Sequence, residues 1–284
     1  MSVALVTDST ASLPPEVAAA RGITVVPLQV VIGATSYDEG VPDGATPEML
    51  AEALRAWTPV STSRPNPDQM VEVYERLAAE GATEIVSVHL SGELSGTFES
   101  AQLAARRAPV PVHAVDSRQV GMGTGFAVLA AADVRDAGGD ASAIAAVARK
   151  RASTTTSLFY VDTLEYLRRG GRMGAASALI GSALAVKPIL RIEDGRVVPF
   201  ERVRTAGKAL NRLEELAVEA AGSAAVDVAV AHLASPDRAT TLADRLRERL
   251  AEGLDDRSVH LGEIGAVLGA HVGPGMVAVC VARR

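Results

Sequence analysis

The chain has 284 residues, 48% hydrophobic and 22% charged, enough for one large or two ordinary domains around a sizeable core. Its net charge of −6 argues against a general nucleic-acid surface, and a single cysteine excludes an intramolecular disulfide and fits a reducing compartment. No apolar run reaches the length of a membrane span and no signal peptide is evident, so a cytoplasmic protein is expected.

Taken in chain order, Val3–Thr7, Thr24–Pro27, Glu84–Val88 and Val112–Val115 read as strands, with segments of helical apolar spacing between most of them. Leu158–Val161, Val186–Ile192, Arg196–Arg204, Val226–Ala231, Arg257–Leu261 and Met276–Val281 continue the series. Thr46-Pro47-Glu48, Asn66-Pro67-Asp68-Gln69 and Ser235-Pro236-Asp237 each place a capping residue, a proline and an acid where a helix starts. Alternating strands and helices in the first half predict an α/β fold with a doubly wound, mainly parallel sheet. In the second half Asp194-Gly195 sits between two β-like runs, a hairpin signal, so a C-terminal α/β domain with a mixed, α+β-like sheet is expected. The Ser/Thr run in Ala152–Ser157 marks the boundary, giving domains 1–155 and 156–284.

Several chemistries lack their motif. There is no P-loop, no Gly-x-Ser-x-Gly elbow and no zinc-type spacing among the five histidines, and Gly121–Gly125 does not match the dinucleotide fingerprint. Cys280 lies in an apolar run and reads as a core residue. What remains is a set of hydroxyl-rich loops at strand ends: Thr7–Thr10, Ser61–Ser63, Ser91–Thr97 and Asp116-Ser117. The third leads from a strand ending at His89 into a helix expected over Thr97–Arg107. Free backbone N–H groups at such a junction suit an anion, either phosphate or carboxylate. Asp8 and Asp116 read as caps, or as metal or base groups if the loop serves phosphate chemistry. In the second half Arg168–Gly174 packs three arginines around a glycine pair, Arg202 and Arg204 share one side of a strand, and His271 stands alone among small residues in Gly269–Gly275.

Asp8-Ser9, Thr62-Ser63 with Pro65, Leu94–Thr97, Asp116-Ser117, Gly170–Arg172, Lys187–Leu190, Arg204-Thr205 and Gly269–Gly275, in that order, resemble the DegV family along nearly the whole chain. The resemblance implies a bacterial lipid-binding protein of two domains that holds one long-chain fatty acid between them. It implies no catalysis and no cofactor. A separate fatty acid kinase would convert the presented carboxylate into an acyl phosphate for phospholipid synthesis. Carried over, Thr62 and Ser95 would hydrogen-bond the carboxylate, with Ser63, Gly96 and Thr97 supporting the pocket. Arg172, Arg204 and His271 would lie near the exposed head group or the kinase-facing surface. Arg64-Pro65-Asn66 departs from the family pattern, where an uncharged residue often precedes the proline. Leu179, Ile180, Leu184 and Ile189 are expected along the acyl tunnel by their helical and strand placement. Each buried methylene contributes roughly 0.8 kcal/mol, so a sixteen-carbon tail would supply affinity on the order of 10 kcal/mol while the head group sets orientation. The alternative is a phosphate- or metal-dependent small-molecule enzyme built on the Ser91–Thr97 loop.

Overall fold

Runs rich in Val, Ile and Leu form strands that need cover on both faces. The structure is a computed structural model describing residues 2–174, 176 and 187–284. In its first half β1 (Val3–Asp8), β2 (Ile23–Val26), β6 (Glu84–His89) and β7 (Val112–Asp116) form an all-parallel sheet in the order β2-β1-β6-β7. Helices α3 (Pro67–Ala79) and α4 (Thr97–Ala105) cover one face, where Met70, Tyr74, Leu77 and Ala104 pack on Val6 and Ile85. Helices α5 (Met122–Asp136) and α6 (Ala141–Ser153) cover the other, where Val128, Ala131, Ile144 and Ala148 pack on Leu5, Val86 and Val88. This is the expected doubly wound arrangement, with its strands' carboxyl ends facing the second half.

The second half builds a six-stranded mixed sheet in the order β10-β9-β8-β13-β11-β12. Its strands are β8 (Thr155–Tyr160), β9 (Lys187–Glu193), β10 (Arg196–Val203), β11 (Val226–His232), β12 (His260–Glu263) and β13 (Val277–Arg283). Every neighbouring pair is antiparallel except β11 with β12. The β9–β10 hairpin turns at Asp194 and Gly195, both with positive φ (51° and 79°), as the Asp-Gly signal predicts. Helices α8 (Ala206–Ala221) and α9 (Pro236–Arg249) bury one face of this sheet through Leu213, Leu216, Leu242 and Leu246.

A third sheet is absent from the sequence-based expectation. β3 (Gln29–Ile32), β4 (Thr35–Asp38) and β5 (Val60–Ser63) form a small antiparallel sheet in the order β4-β3-β5, with α2 (Pro47–Arg55) between β4 and β5. Ser61–Ser63 is therefore strand rather than a loop before a helix. The Ser/Thr run at 152–157 joins the two halves directly, since α6 ends at Ser153 and β8 starts at Thr155. The Asn66 capping box forms in full and the Thr46 hydroxyl caps α2, whereas Ser235 makes no side-chain cap on α9. Helix α4 stops at Ala105, short of the expected Arg107. No helix among the described residues is long and apolar enough to cross a membrane.

Candidate functional site

A patch of the inward face of the mixed sheet is made of small side chains. Strand alternation and register set Ala231 beside Ala278 and Ala278 beside Phe159, then Ala229 beside Cys280 and Cys280 beside Ser157. Alanine, serine and cysteine at those positions leave part of the gap between the sheet and the first half unfilled, while Met122 and Phe126 pack on Ala229 and Cys280. The result is a cavity of about 440 Å³, within the range of small-molecule sites. Leu28, Leu90, Leu94 and Val120 from loops of the first half and Met122 at the start of α5 close it, and Val267, Leu268 and Val272 of α11 (Ala266–Val272) form a side wall. Burial pushes the Cys280 thiol up to about 12, so it lines the cavity as a hydrophobe rather than a nucleophile.

Polar side chains also reach the cavity. Thr62, Ser63, Arg64, Ser95, Gly96, Arg172 and His271 line it. Thr62 comes from β5 and His271 from α11, and their Oγ1 and Nε2 atoms lie 2.9 Å apart. Burial, reinforced by the Arg172 charge, lowers the His271 pKa to about 4, so the imidazole is neutral at pH 7. Its Nδ1 is buried and has no hydrogen-bond partner among the described residues. Placing the single imidazole proton on Nε2 satisfies it against Thr62 Oγ1 and leaves the Thr62 hydroxyl hydrogen for a ligand. Gly170 backs onto the same ring, and a Cβ there would sit 2.1 Å from Nδ1.

Arg172 ties the Gly170-Gly171 turn to the Ser91–Thr97 loop, its Nε donating to Leu94 O (3.1 Å) and its Nη1 to Gly170 O (2.7 Å). Ser95 Oγ accepts from Thr97 N at 3.3 Å and shares a hydrogen bond with Thr97 Oγ1 at 2.9 Å. Gly96 is the residue that precedes α4, and its missing side chain makes room for Arg64, since a Cβ would meet Arg64 Nη1 at 1.7 Å. Arg64 Nη1 in turn donates to Gly96 O (3.1 Å) and to Glu99 Oε2 (2.8 Å). The arginine that departs from the family pattern thus stands at the cavity's polar lining.

Six expected site residues therefore share one cavity: Thr62, Ser63, Ser95, Gly96, Arg172 and His271. Thr97 does not line it, being fully buried behind Ser95. Arg204 is exposed in the turn between β10 and α8, away from the cavity, because β10 ends one residue earlier. His271 is half-buried at the cavity, beside Thr62. Ile189 is placed on the opposite face of β9, packed among Leu213 and Val230 of the helix-covered core, while Leu190 and Ile192 point the other way. Leu179, Ile180 and Leu184 lie outside the described residues. The sequence reading missed the inward row Ala229, Ala231 and Ala278; two-residue alternation in β11 and β13 was the available signal.

A second polar constellation is structural. Asp8 Oδ2 accepts from His89 Nδ1 (2.9 Å) and Leu90 N (3.1 Å), His89 Nε2 meets Ser87 Oγ (2.7 Å), and Tyr74 OH donates to Ser87 Oγ (2.9 Å). The order resembles a nucleophile triad, but Tyr74, Ser87, His89 and Asp8 have no exposed surface and none of them lines the cavity. Asp116 Oδ1 likewise accepts from Gly92 N and Arg118 N, which makes it a cap. Both carboxylates shape the Ser91–Thr97 loop.

Comparison with known proteins gives the family and the fold. The sequence model of the DegV family, described as uncharacterised proteins, matches residues 2–284. A DegV domain-containing protein of Streptomyces coelicolor is 56% identical over 282 residues, spanning 99% of each chain. Among solved structures, a DegV family protein of Thermus thermophilus described for its fatty acid binding superposes with a TM-score of 0.92 at 33% identity, covering 100% of both chains. DegV of Bacillus subtilis, described as a fatty acid binding protein, superposes at 0.89 with 32% identity and the same full coverage. The chain belongs to the DegV family.

Proposed function

We propose that this protein binds one long-chain fatty acid in the cavity and presents its carboxylate to a separate fatty acid kinase, which converts it into an acyl phosphate. The observation that carries the binding half is a cavity floored by alanines that also collects the hydroxyls of Thr62, Ser63 and Ser95, a neutral imidazole and two arginines. An acyl tail of a dozen buried methylenes gains on the order of 10 kcal/mol there. A carboxylate drawn from water must be hydrogen-bonded, and the Thr62 and Ser95 hydroxyls supply neutral donors while Arg64 and Arg172 supply charge. The fatty-acid binding described for the Thermus and Bacillus proteins supports the same assignment. The kinase half rests on the family resemblance and on the absence of a nucleotide loop in the sequence. The reading requires no cofactor and places the protein in the cytoplasm.

Mass spectrometry of an organic extract from purified protein tests the binding half. One equivalent of fatty acid is the expected result; an empty extract, repeated after incubation with mixed fatty acids, overturns it. For the kinase half, loaded protein should yield acyl phosphate with ATP and a cognate kinase, and Arg172→Ala should slow that turnover about tenfold at saturating lipid, in keeping with one charge-assisted contact. Equal turnover by both proteins removes Arg172 from that role.

Gly170 gives a sharper structural prediction. In Gly170→Ala the new methyl displaces the His271 ring and breaks its contact with Thr62. Fatty-acid dissociation should accelerate about tenfold, the cost of roughly one hydrogen bond. Stopped-flow displacement of a fluorescent fatty acid measures it, and an unchanged rate would mean that the His271–Thr62 contact does not hold the ligand.

A further inference from the structure

We propose that Glu39, remote in sequence from the head-group site, is the positioning residue that holds α11 and so keeps His271 in register with Thr62. The inference rests on the fatty-acid reading only for its ligand readout. Glu39 follows β4 in the first half, and its Oε1 accepts from Val267 N in α11, in the second half, at 2.8 Å. Glu39 is only 6% exposed, and its second oxygen, Oε2, has no hydrogen-bond partner among the described residues. A buried carboxylate left half-satisfied costs stability, so a role other than stability is the reason to look for.

Position 265 supplies the independent observation. Gly265 precedes α11 with φ −65°, an ordinary backbone conformation that any residue adopts. Its glycine is explained by space instead, because a Cβ there would lie 2.1 Å from Glu39 Oε1. Gly265 has no side chain with which to cap α11, and Glu39 supplies that acceptor from the other half of the chain. Helix α11 spans only Ala266–Val272, too short to be stable by itself, so its placement depends on such outside contacts. It carries His271 at its far end and three cavity-wall residues along its length. The other groups facing the Glu39 carboxyl are the Ser9 hydroxyl, which opposes its protonation, and the Asp8 charge, which favours it.

The test compares Glu39→Ala, Glu39→Asp and Glu39→Gln in the full chain. The first readout is the His271 imidazole titration, followed by NMR in ligand-free protein; the second is dissociation of a fluorescent fatty acid from loaded protein. Glu39→Ala and Glu39→Asp should move the His271 titration from about 4 toward the ordinary value near ~6.5 as the ring hydrates, and should speed dissociation about tenfold. Glu39→Gln keeps an acceptor oxygen for Val267 N and should restore both readouts to wild type. The proposal is overturned if folded Glu39→Asp leaves the His271 titration in place, or if Glu39→Gln fails as Glu39→Ala does. The titration needs no lipid, so it decides the positioning role even if wild-type protein proves to hold no fatty acid.

Discussion

Ala231→Trp should abolish fatty-acid retention while the protein stays folded. Ala231 sits on the inward face of β11, beside Ala278 on β13, and both line the cavity. An indole there occupies the space the tail would fill without entering the helix-covered core behind the sheet. Excluding about eight methylenes removes roughly 6 kcal/mol of transfer free energy, a loss of more than about 10⁴-fold in affinity. The organic extract of the variant should be empty, and its melting temperature should stay near that of the wild type. An equivalent of the same fatty acid in the extract would place the tail elsewhere.

The second large effect is expected from Thr62→Ala combined with Ser95→Ala. Hydrogen bonds to a charged group contribute about 1.5–3 kcal/mol each, so losing two predicts weakening of about a hundredfold or more. The double variant also strands His271 Nε2, which has Thr62 Oγ1 at 2.9 Å in the intact protein, so the two losses need not add. The control is the methyl ester of the same fatty acid, which carries no charge for these hydroxyls to hold. Competition binding should show the acid falling strongly and the ester falling little. Equal losses for acid and ester would mean the substitutions damage the cavity rather than the head-group contacts, and undiminished acid binding would remove Thr62 and Ser95 from the head-group site.

Much of this was legible in the sequence for identifiable reasons. The parallel sheet announced itself through long apolar runs buried on both faces, and the β9–β10 hairpin through Asp194-Gly195, whose positive φ angles few residue pairs accept so readily. The hydroxyl-rich loops were visible because small polar residues cluster at strand ends. The small sheet was not, because β4 (Thr35–Asp38) is mostly polar and half-exposed and β5 alternates weakly, so neither carries the apolar signal of the buried strands. Ile189 was misplaced because Lys187–Ile192 is apolar at consecutive positions, and only the pairing of Tyr160 with Ile189 and Phe159 with Leu190 shows which face each takes. Glu39 gave no local sign at all. Its partner, Val267, is 228 residues away, and only the tertiary fold joins them.

The row of alanines across the mixed sheet carries one more consequence. At that patch the sheet lacks part of the layer of large side chains that ordinarily seals a two-layer core. On the proposed reading the acyl chain is that part, contributed by another molecule and bound only by the folded chain. Ligand occupancy and folding are then thermodynamically linked: at a hundredfold excess of free lipid over Kd, the linkage is worth about 2.7 kcal/mol. Resistance to unfolding would thus rise and fall with the supply of lipid, and the empty carrier would be the form that a cell's proteases meet first.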